Sequence, residues 1–154
     1  MTTLGVDFGG SFIKSGDVYS SGAVAHNPSI ETPNPSTPEN VFNAIKPLIT
    51  HKIKKVGMAI PCAVKDNRAL TSTNVDAGWR SISLKETARE ILGVDCTFIN
   101  DADAAAVAEM SANIDTQGLT ILLTFGTGIG AAMIYNGTLI PNMEFGRMAM
   151  PRGI

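Results

Sequence analysis

Two turns rich in glycine and hydroxyl groups, each closing a short apolar run, constrain this chain more than any other feature. The first, Asp7-Phe8-Gly9-Gly10-Ser11, ends the run Leu4 to Phe8 and precedes a second run, Phe12 to Val18. The second, Thr124-Phe125-Gly126-Thr127-Gly128-Ile129-Gly130, lies between the runs Thr120 to Phe125 and Ile129 to Tyr135. Short apolar runs bounded by such turns read as strands, so the chain opens on an antiparallel pair and repeats the device near its end.

The segments between these turns carry helix signals. Ala23 to Ile30 reads as a third strand and the proline-rich stretch Thr32 to Pro38 as a loop. Thr37-Pro38-Glu39 opens a helix, with a hydroxyl cap, Pro at the first helical position and an acid in the first turn. Its apolar face is Val41, Phe42, Ile45, Leu48 and Ile49, and Pro47 should kink or end it. Lys55 to Ile60 is a buried-type strand stopped by Pro61, and Ala63 to Leu70 reads as a hairpin around Asp66-Asn67. Ser83-Leu84-Lys85-Glu86 has the pattern of a capping box, for a helix running to Leu92 and stopping at Gly93. Asp95 to Ile99 is a strand, and Asn100-Asp101 opens an alanine-rich helix to about Asn113. Gly118 is a turn, and Asn136-Gly137 is a hairpin signal. An antiparallel start followed by parallel crossovers gives an α/β fold.

Composition removes several functions. A chain of 154 residues with 44% hydrophobic content is one domain or one and a half. Its net charge of −2, with no Lys/Arg cluster beyond Lys52, Lys54 and Lys55, argues against a nucleic-acid partner. Leu119 to Ile134, the most apolar stretch, is interrupted by Thr and Gly and falls short of a membrane span. The start MTTLGVDFGG has no basic region and no signal-peptide core, so a cytoplasmic location is expected. Cys62, Cys96, His26 and His51 cannot supply a four-ligand zinc site or a disulfide framework, and they give little support to a Ser-His-Asp hydrolase.

Three segments carry chemistry. Asp7 at a strand end, followed by Gly9, Gly10 and Ser11 and then Lys14, suits phosphate and Mg²⁺: glycine backbone approaches anionic oxygens and a carboxylate holds metal-bound water. A plain hairpin would use the same residues. Thr124 to Gly130 is a second possible phosphate cradle. Its G-x-G-x-G spacing runs into a strand, so it is not the dinucleotide fingerprint, and it lacks the Gly-Lys-Ser/Thr of a P-loop. A hairpin loop accounts for it equally well. The third, Asn100-Asp101-Ala102-Asp103, sits where a strand gives way to a helix. Asp101 there can take a proton from an attacking hydroxyl, although Asn caps and first-turn acids also serve the helix itself. Together, two glycine turns with a carboxylate junction between them point to phosphoryl transfer.

These residues resemble the ROK family of sugar kinases, which share an actin-like, ribonuclease-H-like fold, and most closely its polyphosphate glucokinases. The resemblance is carried in family order by Gly5 to Ser11 with Ile13-Lys14, Thr32 to Pro35, Gly57 to Pro61, Thr73 to Trp79, Asn100 to Ala105, Leu123 to Gly130 and Pro141 to Gly146. It implies that Asp101 is the general base on the 6-hydroxyl of glucose or a similar hexose. Asn74, Asn100 and Glu144, with Asp101, would bind the sugar. Gly9, Gly10, Ser11, Lys14, Thr127 and Gly128 would hold the donor, ATP or polyphosphate, and Asp7 would serve Mg²⁺. Trp79 would line the sugar site or, as single tryptophans often do, anchor a core. A homodimer is expected.

Two departures accompany the resemblance. Arg147 stands where the family has a sugar-contacting histidine, and the family continues into a second half with further donor-binding segments. Residues 1–111 therefore read as a small lobe and 112–154 as the start of a large one. An active kinase is the leading expectation. A catalytically silent sugar-binding or interaction module is the alternative. A family repressor is disfavoured, since the first strand begins near residue 4 and leaves no room for a preceding helix-turn-helix.

Overall fold

In the computed structural model, which describes residues 2–112, 117–126, 128–143 and 145, Leu4, Val6 and Phe8 alternate with Thr3, Gly5 and Asp7 along the first strand. That period of two buries one side of β1 (Thr2–Phe8) and leaves Asp7 on the other. The chain divides by contact into two units, Met1–Ile99 and Asn100–Ile154.

In the first unit, β1 pairs antiparallel with β2 (Phe12–Val18), in a register that sets Asp7 opposite Lys14 and Phe8 opposite Ile13. The single strand expected over Ala23 to Ile30 is instead two short ones, β3 (Val24–His26) and β4 (Ile30–Glu31), both paired with β2. Pro28, which has no N–H, lies in the gap between them. Helix α1 (Pro38–Ile45) starts as expected, Thr37 Oγ1 accepting the Asn40 N–H at 3.2 Å. It ends two residues before Pro47, and Lys46–Leu48 tighten into a 3-10 turn. Strand β5 (Ile53–Ile60) then lies parallel to β1.

The hairpin of β6 (Val64–Lys65) and β7 (Arg68–Ala69) turns on Asp66 and Asn67, with φ of 49° and 59°. Two left-handed residues between paired strands are what a two-residue hairpin loop requires. Helix α2 (Leu84–Leu92) stops at Gly93, whose φ is 74°. Its expected capping box is not formed: Ser83 occupies the cap position, but its side chain makes no capping bond. The hairpin carbonyl of Asn67 accepts the Leu84 N–H at 2.9 Å, satisfying one of the orphan amides at the helix start. Strand β8 (Asp95–Asn100) completes a six-stranded sheet of order β3-β2-β1-β5-β8, with β4 beside β2.

One face of that sheet packs on the helices. Leu4, Phe8 and Ile13 meet Val41, Phe42 and Ile45 of α1 and Leu84, Ala88 and Leu92 of α2 in one buried cluster. Trp79 belongs to it and is 0% exposed, so it is a core anchor. It sits in a 3-10 turn, Ala77–Ser81, that sequence reasoning did not foresee and that the Asp76 carboxylate caps through the Gly78 N–H at 2.7 Å. Its ring lies 5.2 Å from Phe8 and 5.6 Å from Phe42, and its indole N–H donates to the Ser36 carbonyl at 2.8 Å.

The second unit is an antiparallel sheet with one helix. Helix α3 (Asp101–Ser111) is followed by β9 (Leu119–Phe125), β10 (Ile129–Tyr135) and β11 (Thr138–Ile140), in the order β11-β10-β9. Asn136 and Gly137 make the expected turn, with φ of 47° and 74°. The expected helix end at Asn113 lies outside the described residues. Ala102 and Ala106 of α3 pack on Ala132 and Ile134 of β10. The opposite face of the sheet exposes Leu119, Ile121, Leu123, Phe125, Ile129 and Tyr135. Among the described residues no helix is long and apolar enough to cross a membrane.

Candidate active site

The first glycine turn is tightly built. The Gly9 N–H donates to the Phe12 carbonyl at 3.1 Å, and a side chain at Gly9 would place its Cβ 2.8 Å from that oxygen, so only glycine fits. Thr32, which sequence reasoning gave no role, braces the turn from the proline-rich loop. Its hydroxyl donates to the Gly9 carbonyl at 2.6 Å and its N–H to the Ser11 carbonyl at 3.0 Å. Its sequence signal is a hydroxyl residue directly after a short strand paired to the turn's own strand. Gly10 and Ser11 are left exposed at the tip. Asp7 and Lys14 are exposed cross-strand neighbours at its base, which puts one carboxylate and one ammonium beside the turn. Asn74 lies in an exposed turn shortly before the Asp76 cap.

In the second unit, the strand-to-helix junction is organised by Asn100. This residue is 6% exposed, and its side-chain oxygen accepts the Asp103 N–H at 3.1 Å as the helix cap. Its amide nitrogen donates to Asp101 Oδ1 at 3.1 Å, and the Ala102 N–H reaches the same oxygen at 2.9 Å. Two donors on one oxygen fix the Asp101 carboxylate at the positive end of α3, half-exposed. Asp103 is buried behind it. One of its oxygens accepts the Asn142 N–H at 2.8 Å, and the other has no hydrogen-bond partner among the described residues.

The second glycine turn reaches this junction. The Gly126 N–H donates to the Gly128 carbonyl at 3.0 Å, and both glycines are exposed. Further along, Gly130 lies under the first turn of α3, where an added Cβ would meet the Thr124 hydroxyl and come within 3.2 Å of the Ala102 Cβ. The missing side chain is what lets the helix carrying Asp101 close onto the strand that leaves the glycine turn. Thr127 and Glu144, expected at the donor and the sugar, lie outside the described residues, as does Arg147. Among the described residues no group of three or more His, Cys, Asp or Glu could hold a metal ion.

A model of the ROK family matches residues 3–148. The polyphosphate glucokinase of Mycobacterium tuberculosis (strain ATCC 25618 / H37Rv) is 40% identical over 152 residues, covering 94% of this chain and 57% of that protein. Among solved structures, the inorganic polyphosphate/ATP-glucomannokinase of Arthrobacter sp. strain KM superposes with a TM-score of 0.87 at 31% identity, over 97% of this chain and 64% of that one. A ROK family glucokinase from Streptomyces griseus, in complex with glucose and AMPPNP, gives 0.81 at 30% identity, over 96% and 50%. The chain thus spans little more than half the length of the curated relative it matches.

Proposed function

The chain belongs to the ROK family, whose sugar kinases have an actin-like ATPase fold, and from that membership we propose that it is a hexose kinase. In this reading it moves a phosphate from ATP or polyphosphate to the 6-hydroxyl of glucose or a similar hexose. The observation that carries it is the junction of β8 and α3, where Asp101 is held by the Asn100 amide and the Ala102 N–H.

The chemistry is an in-line displacement. The sugar oxygen attacks the terminal phosphorus, its bond to the bridging oxygen breaks, and the proton of the hydroxyl passes to the Asp101 carboxylate. The leaving group is ADP or a polyphosphate shortened by one unit. Asn74, Asn100 and Glu144 hold the sugar hydroxyls, so an analogue lacking a hydroxyl leaves polar groups unpaired and is rejected. Gly9, Gly10, Ser11, Lys14, Thr127 and Gly128 bind the donor.

Mg²⁺ fits this arrangement. It keeps most of its waters and phosphate oxygens and asks the protein for one or two carboxylates, which Asp7, exposed at a strand end, can supply. When bound, it would neutralise charge developing on the transferred phosphate.

A homodimer, a cytoplasmic location, a small-molecule rather than nucleic-acid partner, and a small lobe over 1–111 with a large lobe beginning at 112 belong to the same proposal. The exposed apolar face of β9 and β10 favours the homodimer.

The test is glucose-6-phosphate formation by the purified chain with ATP and with polyphosphate, beside Asp101→Asn. Removing a general base should lower kcat by about 10²- to 10⁴-fold, with a much smaller change in the sugar KM. Equal background rates for wild type and variant, with both donors, would end the kinase reading.

A further inference from the structure

Asp103 has no place in the proposed chemistry, yet its environment is the least ordinary in the second unit. It is 1% exposed, next to Ala102 in the first turn of α3, and its own N–H is used by the Asn100 cap. An ionisable side chain taken out of water needs compensation, and an apolar residue would avoid that cost. The bond this carboxylate makes is long-range: Oδ2 accepts the backbone N–H of Asn142 at 2.8 Å, across 39 positions of sequence, while Oδ1 has no partner among the described residues.

The other end of that bond is equally specific. Asn142 is left-handed, with φ of 63°, and follows Pro141, which has no N–H to give. The Asn142 amide is therefore the first backbone donor after β11, presented at a sharp change of direction two residues before Glu144.

We propose that Asp103 is a positioning residue: it ties the loop after β11, two residues before Glu144 in sequence, to the first turn of the helix that carries Asp101. The tether stands on geometry alone, while its consequence for sugar binding rests on the hexose-kinase reading. Burial pushes the Asp103 carboxyl up, the Asn142 N–H pulls it back, and the Asp101 charge adds to the rise. The tether asks this side chain for an acceptor oxygen at the Asn142 N–H. A first-turn acid that merely complemented the helix dipole would act through its charge, and these two roles respond differently to substitution.

The experiment uses the full chain labelled with ¹⁵N, and reads amide hydrogen exchange at Asn142 and equilibrium glucose binding for wild type, Asp103→Asn and Asp103→Ala. Asparagine keeps an acceptor oxygen and loses the charge; alanine loses both. Asn142 should be protected in wild type and Asp103→Asn. It should exchange at least tenfold faster in Asp103→Ala, with the β10 amides unchanged. Glucose affinity should fall about ten- to hundredfold in Asp103→Ala and stay within about threefold in Asp103→Asn. An unprotected Asn142 in wild type overturns the tether, and that measurement stands even if Asp103→Ala does not fold. Equal glucose affinity in wild type and Asp103→Ala, or equal weakening in both variants, overturns the positioning role. A wild-type chain with a protected Asn142 and no glucose binding overturns the kinase reading instead and leaves the tether in place.

Discussion

Asn100 serves two ends with one side-chain amide: its oxygen caps α3 and its nitrogen orients Asp101. The capping role was readable, because capping is a local matter of residue type and position, and the hold on Asp101 was not. The partner of Asp103 was not readable, because it is set by a loop far along the chain. Cys96 makes the same point about burial. It is 1% exposed, and desolvation, with the neighbouring Asp95 charge, pushes its thiol from 9.0 to about 11. The folded state thus holds that proton more tightly than the unfolded chain does, so the stability it contributes is present below pH 9.0 and lost as pH rises through about 11. In urea titrations, wild type should weaken relative to Cys96→Ala across that window. Parallel pH profiles for the two proteins would rule the effect out.

Among the elements, those decided by local pattern formed as expected. Helix α1 with its Thr37 cap, α2 with its Gly93 stop, and the turns at Asp66-Asn67 and Asn136-Gly137 are of this kind. Elements decided by distant partners differed. The Ser83 side chain makes no capping bond, although a distant hairpin carbonyl takes the Leu84 N–H, and the expected third strand split around Pro28. The fit of α3 on β10 belongs to this second kind and can be tested at Gly130. Alanine there would press on Thr124 and Ala102 and should cost about 1–3 kcal/mol in chemical denaturation. Gly126→Ala, with nothing among the described residues within 4 Å of the added carbon, is the control and should shift stability by less than about 0.5 kcal/mol. An unchanged midpoint for Gly130→Ala would mean the helix does not need the gap.

For the molecule as a whole, the family and the order of its motifs were legible because the glycine turns and the Asn100-Asp101 junction are short and contiguous in sequence. How much of each surface would be exposed was not legible. Among the described residues strand β9 ends its sheet, and Leu119, Ile121, Leu123 and Phe125 project from one side of it, the last 77% exposed. Its centre, Thr120-Ile121-Leu122-Leu123-Thr124, reads nearly the same in both directions. Two copies paired antiparallel about Leu122 would set Thr against Thr and Ile against Leu, as an isologous contact requires. Sedimentation should therefore show concentration-dependent self-association, reduced by Leu123→Lys, since a charge on an edge strand opposes pairing. A wild-type chain that stays monomeric at high concentration would exclude this edge as the dimer contact.

The Thr32 brace carries a consequence of a different kind. In a planar trans peptide the C=O and N–H bonds point in opposite directions. Because Thr32 draws the Gly9 and Ser11 oxygens inward, the amide vectors that follow them point away from it. The peptide units that follow Gly9 and Ser11 are thereby held in a fixed orientation by the brace. That orientation depends on no titrating group, so it persists at any pH at which the fold survives.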